Sequence, residues 1–275
     1  MHPRSVIEAA ILSMTLTLAP ISAIAAEPAK DAVAQTVGHG QIDWTNKTIT
    51  ATGSGAPDLK AANVAVARLG AERAAKADAL RNILEAVKGV RISGGQSAGA
   101  AMDTSPEVKA KVEGVVRNFK VVDTKYYSDG GVDVIVQVPM DGVLAEALLP
   151  TGTATAPAPT PAESSAGPSG VIVNAKGLKV APALAPRLVD ESGKELYGAA
   201  MVGKDALVQR GVASYSKSLE QATRDTRVSG KPLVVKGVRL SQAGSADVVV
   251  SADDAVKLAS AKSVLGLGKV IIVTD

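Results

Sequence analysis

The sequence predicts an α+β fold: two small α/β sandwich domains, the first ordered ββαβαββα around a mostly antiparallel sheet, joined by a Pro/Ala-rich linker. Three observations carry this. Segments that alternate apolar and polar residues are interleaved with segments of helical period, so strands and helices share each half of the chain. The stretch PTGTATAPAPTPAESSAGPSG at 150–170 holds no apolar side chain larger than alanine or proline. It cannot bury enough surface to offset the entropy of ordering, and reads as an extended, semi-stiff spacer. On either side of it Ala, Val, Leu and Ile must build the cores, because the 275 residues include one Trp, one Phe and four Tyr.

These features divide the chain into a signal peptide (1–25), a spacer (26–36), a first domain (37–149), the linker (150–169) and a second domain (170–275). In the signal, Arg4 and the amino terminus give a short positive region and Val6 to Ile24 is largely apolar. Ala23-Ile24-Ala25 supplies an A-x-A cleavage site before Glu27 and Pro28. Glu8 leaves the clean apolar run shorter than the roughly 20 residues that span a bilayer. Export and cleavage are expected, into the periplasm or onto the surface of a bacterial cell. There is no cysteine, so no disulfide holds either domain and no thiol is present for a lipid anchor. Outer-membrane association is expected to be peripheral at most.

The first domain opens with a hairpin in GQIDWTNKTITATGSGAP, residues 40–57. With Asn46-Lys47 as a two-residue turn, Trp44 faces Ile49 and Ile42 faces Ala51, while Asp43, Thr48, Thr50 and Thr52 take the other side. Lysine where glycine is usual strains such a turn. Gly53-Ser54-Gly55 and Pro57 then reverse the chain into a helix from Asp58 to Lys88, ended by Gly89. Its expected inner stripe is Leu59, Ala62, Val66, Leu69, Ala77, Leu80, Leu84 and Val87, with a Glu72–Lys76 pair outside. A short strand at 90–92 leads into a flexible loop, SGGQSAGAAMDT. A second helix starts near Thr104, in capping-box spacing to Glu107 with Pro106 in the first turn, and runs to Asn118. Val108, Val112 and Val115 or Val116 point inward. A second hairpin joins 119–127 to 132–138, placing Val132, Val134, Val136 and Val138 on one face, and a helix at 141–149 closes the domain.

The second domain combines strands at 170–174, 186–190, 194–198, 232–240, 247–250 and 269–274 with helices at 216–225 and 252–263. The Glu191-Ser192-Gly193 turn joins two of the strands. The runs LVV, VVV and VIIV predict strands covered on both faces.

Little in the residue inventory supports chemistry. Removing residues 1–25 takes away one base and one acid, so the formal charge stays at +3 with both signs interspersed. That is no nucleic-acid footprint, and few aromatic rings are present to stack on bases. Without cysteine, and with His39 the only histidine after the signal, Cys/His zinc sites, HExxH motifs and Cys-His pairs are excluded. His39 lies beside two glycines with no G-x-S-x-G motif to serve, and reads as an exposed loop residue. Gly53-Ser54-Gly55 sits between a strand and a helix as a phosphate loop would, but Asp58 stands where the dinucleotide motif needs its third glycine. An acid there repels phosphate and stabilises the helix start, so the turn reads as structural. Asp253 and Asp254, with Asp247 nearby, suggest a metal pair, but Ser251 and Asp254 have N-cap-to-N3 spacing and helix capping accounts for them. No carboxylate pair of glycosidase type is singled out. No catalytic, cofactor-binding or metal-binding residue is expected, and no enzyme activity.

The segments G-x-I-D-W-T-N, T-A-T-G-S-G-A-P and A-x-R-A-A-K-A-D-A-L-R-N-I-L-E-A-V-K-G-V-R-I carry a resemblance. This part of the chain resembles the twenty-kilodalton bacterial membrane lipoprotein family and is similar to the N-terminal domain of flagellar assembly protein T. The matching residues are Gly53, Gly55, Arg73, Ala74, Ala75, Asp78, Ala79, Arg81, Asn82, Leu84, Gly89 and Val90, within residues 38–149. The resemblance implies an envelope protein without catalytic residues, with a part in flagellar or outer-membrane assembly. The missing lipobox cysteine departs from the lipoprotein members and implies a soluble periplasmic form. The expected function is therefore contact with other envelope proteins or with further copies of the chain. The alternative is a periplasmic module that binds a small molecule or cell-wall fragment through the glycine-rich loop at 93–101; a carboxylate-based hydrolase is a third reading.

Overall fold

A computed structural model describes residues 32–149 and 167–275. The expected signal peptide, most of the spacer, and the linker up to Ala166 lie outside the described residues. The first domain contains β1 (Ala34–Val37), β2 (Gly40–Asp43), β3 (Thr48–Gly55), α1 (Val64–Lys88), β4 (Arg91–Ser93), β5 (Gln96–Ser97), α2 (Ala98–Thr104), α3 (Pro106–Arg117), β6 (Lys120–Tyr126), β7 (Val132–Pro139) and α4 (Val143–Leu148). An antiparallel sheet runs in the order β1-β2-β3-β7-β6. The α+β sandwich is as expected, with β1, β5 and α2 added to the predicted order. β1 falls in the segment 26–36 read as a spacer, yet Ala32 and Val33 are buried and the Val33 carbonyl accepts from the Trp44 N–H at 2.8 Å.

The first hairpin differs in register. Ile42 pairs with Ile49 and Asp43 with Thr48, so Trp44–Lys47 is a four-residue loop rather than a two-residue turn. The Asp43 carboxylate builds it, accepting from the backbone N–H groups of Thr45 and Asn46 at 2.9 and 2.8 Å. Because the register moves by an even number of residues, Ile42, Ile49 and Ala51 keep their predicted face and are buried.

Gly53 and Gly55 form no turn. They continue β3, paired with Val134 and Val132. A Cβ on Gly53 would lie 2.0 Å from the Ala79 nitrogen, and one on Gly55 2.0 Å from the Ala71 carbonyl oxygen. The glycines let the backbone of α1 rest directly on the strand. This contact also overturns the predicted helix stripe. The buried face is Ala71, Ala75, Ala79, Asn82, Ile83, Ala86 and Val87. Of the expected positions, Val87 is buried, Leu80 and Leu84 are partly so, and Leu59, Ala62, Val66, Leu69 and Ala77 are exposed. A helix that meets a sheet backbone to backbone buries its smallest side chains, so choosing the inner face by apolar size selects the wrong side. The helix also starts later than expected, at Val64, where the Asn63 side chain accepts from the Val66 N–H at 2.9 Å. Asp58 instead turns the preceding loop by accepting from the Lys60 N–H.

The segment expected to be a flexible loop holds the β4–β5 ribbon and α2, which Ser97 caps by accepting from the Ala100 N–H at 3.2 Å. The cap of α3 is Ser105, accepting from the Val108 N–H at 3.3 Å; Thr104 instead donates its hydroxyl to the Ala100 carbonyl. Val112 and Val116 point inward, and Val132, Val134, Val136 and Val138 form the predicted buried row of β7.

The second domain contains β8 (Val171–Asn174), β9 (Leu188–Val189), β10 (Glu195–Tyr197), a 3-10 turn (Ala199–Met201), α5 (Lys204–Arg210), β11 (Ser214–Ser216), α6 (Leu219–Arg224), β12 (Leu233–Leu240), β13 (Val248–Val250), α7 (Ala252–Ser260), α8 (Lys262–Gly266) and β14 (Val270–Val273). Its mixed sheet runs β10-β9-β13-β12-β8-β14-β11, with β8 parallel to both neighbours. β13 and β14 are buried throughout, as VVV and VIIV predict. The LVV run in β12 is not, since Val234 is 43% exposed on the uncovered face of that strand. The main apolar cluster spans both domains and includes Ile42, Trp44 and Val134 as well as Tyr215, Leu188 and Leu265, while Ile172, Ala222, Val228, Ile271 and Val273 form a separate cluster in the second domain. No described helix is long and apolar enough to cross a membrane.

Candidate functional site

The domains meet along a seam built by short-range geometry on each side. The carbonyls of Arg91 and Ile92 in β4 accept from the N–H groups of Leu184 and Ala185, at 2.9 and 2.8 Å, and the Val208 carbonyl in α5 accepts from Gly142 at 2.8 Å. The β2–β3 loop projects into the second domain. Trp44 lies edge-on to Tyr215, with ring centroids 5.9 Å apart. Thr45 donates its hydroxyl to the Tyr215 carbonyl at 3.0 Å. The Tyr215 phenol donates to the Ala183 carbonyl and accepts from the Ala183 N–H, both at 2.9 Å. Burial pushes the Tyr215 phenol far above the ordinary tyrosine range, and the Tyr197 phenol likewise. Both are protonated hydrogen-bonding groups at neutral pH rather than bases.

Among the described residues, two polar clefts open along this seam. The larger, about 570 Å³, is lined by Ser93, Gln96, Glu107, Lys111, Arg187 and Glu195 among others. Its cations are matched by acids. Lys111 pairs with Glu107 at 2.9 Å. Arg187 reaches the buried Asp247 at 2.5 Å through Nη2 and 3.0 Å through Nε, with Glu195 at 3.9 Å. The Asp247 carboxylate holds Arg187 firmly charged.

The smaller cleft, about 470 Å³, takes Lys47 and Asp141 from the first domain and Arg210, Ser214, Arg227 and Lys269 from the second. Lys47 sits at φ +55°, a left-handed conformation unusual for a side-chain-bearing residue, and its Nζ donates to the Arg210 carbonyl. Arg227 donates to three carbonyls, those of Gly268, Arg210 and Gly211, at 2.7, 2.7 and 2.9 Å. Burial, and then the charge of Arg227, lower Lys47 to about 7, against the opposing pull of Asp141 and Asp225. Burial lowers Arg227 to about 10.

The residues weighed from sequence lie elsewhere. His39 is exposed in the β1–β2 turn. Asp253 is exposed, while Asp254 accepts from the Ser251-capped helix side through Lys257 at 2.6 Å and from the Lys236 N–H of β12 at 3.0 Å. Lys257 and that N–H hold its carboxyl below the usual range. Asp247 faces Arg187, so the three carboxylates do not converge. The residues behind the family resemblance fasten α1 to β3. Asn82 donates to the Thr52 carbonyl at 2.8 Å, and Asp78 accepts from the Ser54 N–H at 3.1 Å, beside Gly53, Gly55, Ala75 and Ala79. The seam residues Lys47, Arg210, Ser214 and Arg227 were not legible as a site. The one local signal was Lys47 in a turn position that suits glycine.

The fold and seam define a two-domain α+β protein whose domains join through shared apolar packing flanked by polar, charged clefts. Residues 170–275, the second domain, match the family described as Treponema pallidum Tp0624, second domain. No curated protein compared with the chain matches it significantly.

Proposed function

We propose that this is a non-enzymatic, exported cell-envelope protein that works by contact with other envelope proteins, in flagellar or outer-membrane assembly. The signal-like first 25 residues, the lack of cysteine and the family resemblance of residues 38–149 support the compartment. The observation that carries the contact role is an end of the first domain that has no partner among the described residues. β6 is an edge strand, and Val121, Val122 and Tyr126 on it are 39%, 47% and 53% exposed. The segment entering α1 and its first turns stand beside it, tied by Tyr126 to Glu72 at 3.3 Å, and Leu59 and Val64 there are 92% and 75% exposed. Lys120, Asp123 and Lys125 alternate along the same strand. A free edge with apolar side chains and charges of both signs fits an extended strand donated by a partner protein.

The test is a photo-crosslinking residue placed at Val122 in the full chain in intact cells, with Glu220, exposed on the second domain, as the control position. A discrete adduct at Val122 that is lost when Tyr126→Asp is added supports strand donation. The same products from both positions, together with a monomeric purified protein, would falsify it.

One observation favours a second reading. Ser93, Gln96 and Ala101, from the glycine-rich stretch, line the larger seam cleft. A cell-wall fragment that binds there raises the melting temperature of the native chain, and Gln96→Ala removes that rise.

A further inference from the structure

We infer that the smaller seam cleft is a binding site for a dianionic ligand, a phosphate monoester or a dicarboxylate, that bridges the two domains. The charge inventory comes first. Lys47, Arg210, Arg227 and Lys269 line the cleft against two carboxylates, Asp141 and Asp225, an excess of two positive charges when all are ionised. Among the described residues, none of these four cations has a carboxylate within 4.0 Å, whereas the cations of the larger cleft are paired. Lys47 and Arg227 are the two withdrawn from water; a cation so placed without a contacting counter-charge is costly, and an oxyanion relieves that cost.

Ser214 supplies an independent observation. It lines the same cleft and is 6% exposed, and its Oγ is buried without a hydrogen-bond partner among the described residues. A buried hydroxyl is ordinarily satisfied, so an unmatched one facing a cleft marks a position for a ligand acceptor. Arg227 keeps two of its five N–H groups after donating to three carbonyls, and those carbonyls fix its guanidinium in place before any ligand arrives. The volume, about 470 Å³, suits a small organic anion better than a bare ion. Lys47 and Asp141 belong to one domain and the remaining groups to the other, so occupancy clamps the seam.

Proton linkage follows from the same geometry. In the free cleft Lys47 is held near 7 by burial and by Arg227, with Arg210 and Lys269 as further cations and Asp141 and Asp225 as the facing acids. A dianion beside Lys47 restores its proton, so binding above pH 7 takes up a proton and weakens by up to about tenfold per pH unit.

The test is isothermal titration of the full chain with glycerol phosphate and with succinate, using acetate and chloride at matched ionic strength. One dianion is expected to bind with a Kd of about 1 mM or tighter, and which one identifies the ligand class. Ser214→Ala and Lys269→Gln, which leave the Lys47 contact to the Arg210 carbonyl intact, weaken it by about fivefold or more, and Lys47→Gln by at least about tenfold. Binding heats that vary with buffer ionisation enthalpy at pH 8 report the proton taken up. Monoanions that bind as well as dianions, no binding by either dianion at about 10 mM, or unchanged affinity in Ser214→Ala and Lys269→Gln would overturn the inference.

Discussion

Lys47 holds a backbone conformation that costs a lysine about 1 kcal/mol or more, and its side chain crosses the seam to a carbonyl in α5. Its folded-state pKa is about 7, lowered from 10.5. Between those values the unfolded chain binds more protons at this position than the folded one, so stability rises with pH across the window. Below about pH 7 both states are protonated and the dependence vanishes. Above pH 10 the two buried tyrosines act in the opposite sense, because their phenols ionise only in the unfolded chain. Urea midpoints should therefore climb from pH 7 to pH 9.5 in the native chain and stay flat in Lys47→Met. Equal slopes in the two proteins would show that Lys47 is not the titrating group. Legibility at this scale follows sequence distance. The Ser251 cap on Asp254 was readable because it spans three residues, whereas Lys47 meets a partner 163 positions away.

The strands were read better than the helix that covers them. Alternation in β7 fixes both its existence and its inner face, since a period of two offers only two choices. The 25-residue α1 has no comparable signal, because alanine occurs on several of its faces and the sheet chose the smallest. Gly53 and Gly55 looked like a turn for the same reason. Glycine marks a bend or a close approach equally well, and only the partner element tells which. Gly53→Ala and Gly55→Ala should each destabilise the first domain by about 2–3 kcal/mol or more, read as a drop in urea midpoint with an unchanged slope. Gly70→Ala is the control: its Cβ meets nothing within 4 Å, and a helical glycine replaced by alanine should gain up to about 1 kcal/mol. A Gly53→Ala protein as stable as the native one would show that α1 does not press on β3.

At the scale of the molecule, the sequence predicted two domains with separate cores, and the described residues instead share their main apolar cluster across the seam, with a second, smaller cluster around Ile172 and Ile271 confined to the second domain. No local pattern could announce this, because the contacts join residues that alternation and period place correctly inside their own domains. Trp44, the only tryptophan, belongs to the first domain but packs on Tyr215 of the second. Its fluorescence should thus follow the unfolding of both halves. Tryptophan emission and far-UV circular dichroism are expected to trace one coincident urea transition. Two separated transitions, with emission changing only in the first, would mean that the seam contributes little to stability.

The helix–strand contact at Gly53 also limits how this protein can change over generations. The atoms that a new methyl group would strike are the Ala79 nitrogen and the Ala75 carbonyl oxygen, which every amino acid carries. No replacement at 75 or 79 can make room, so a lineage that loses this glycine has no suppressor close at hand and must shift the whole helix or revert.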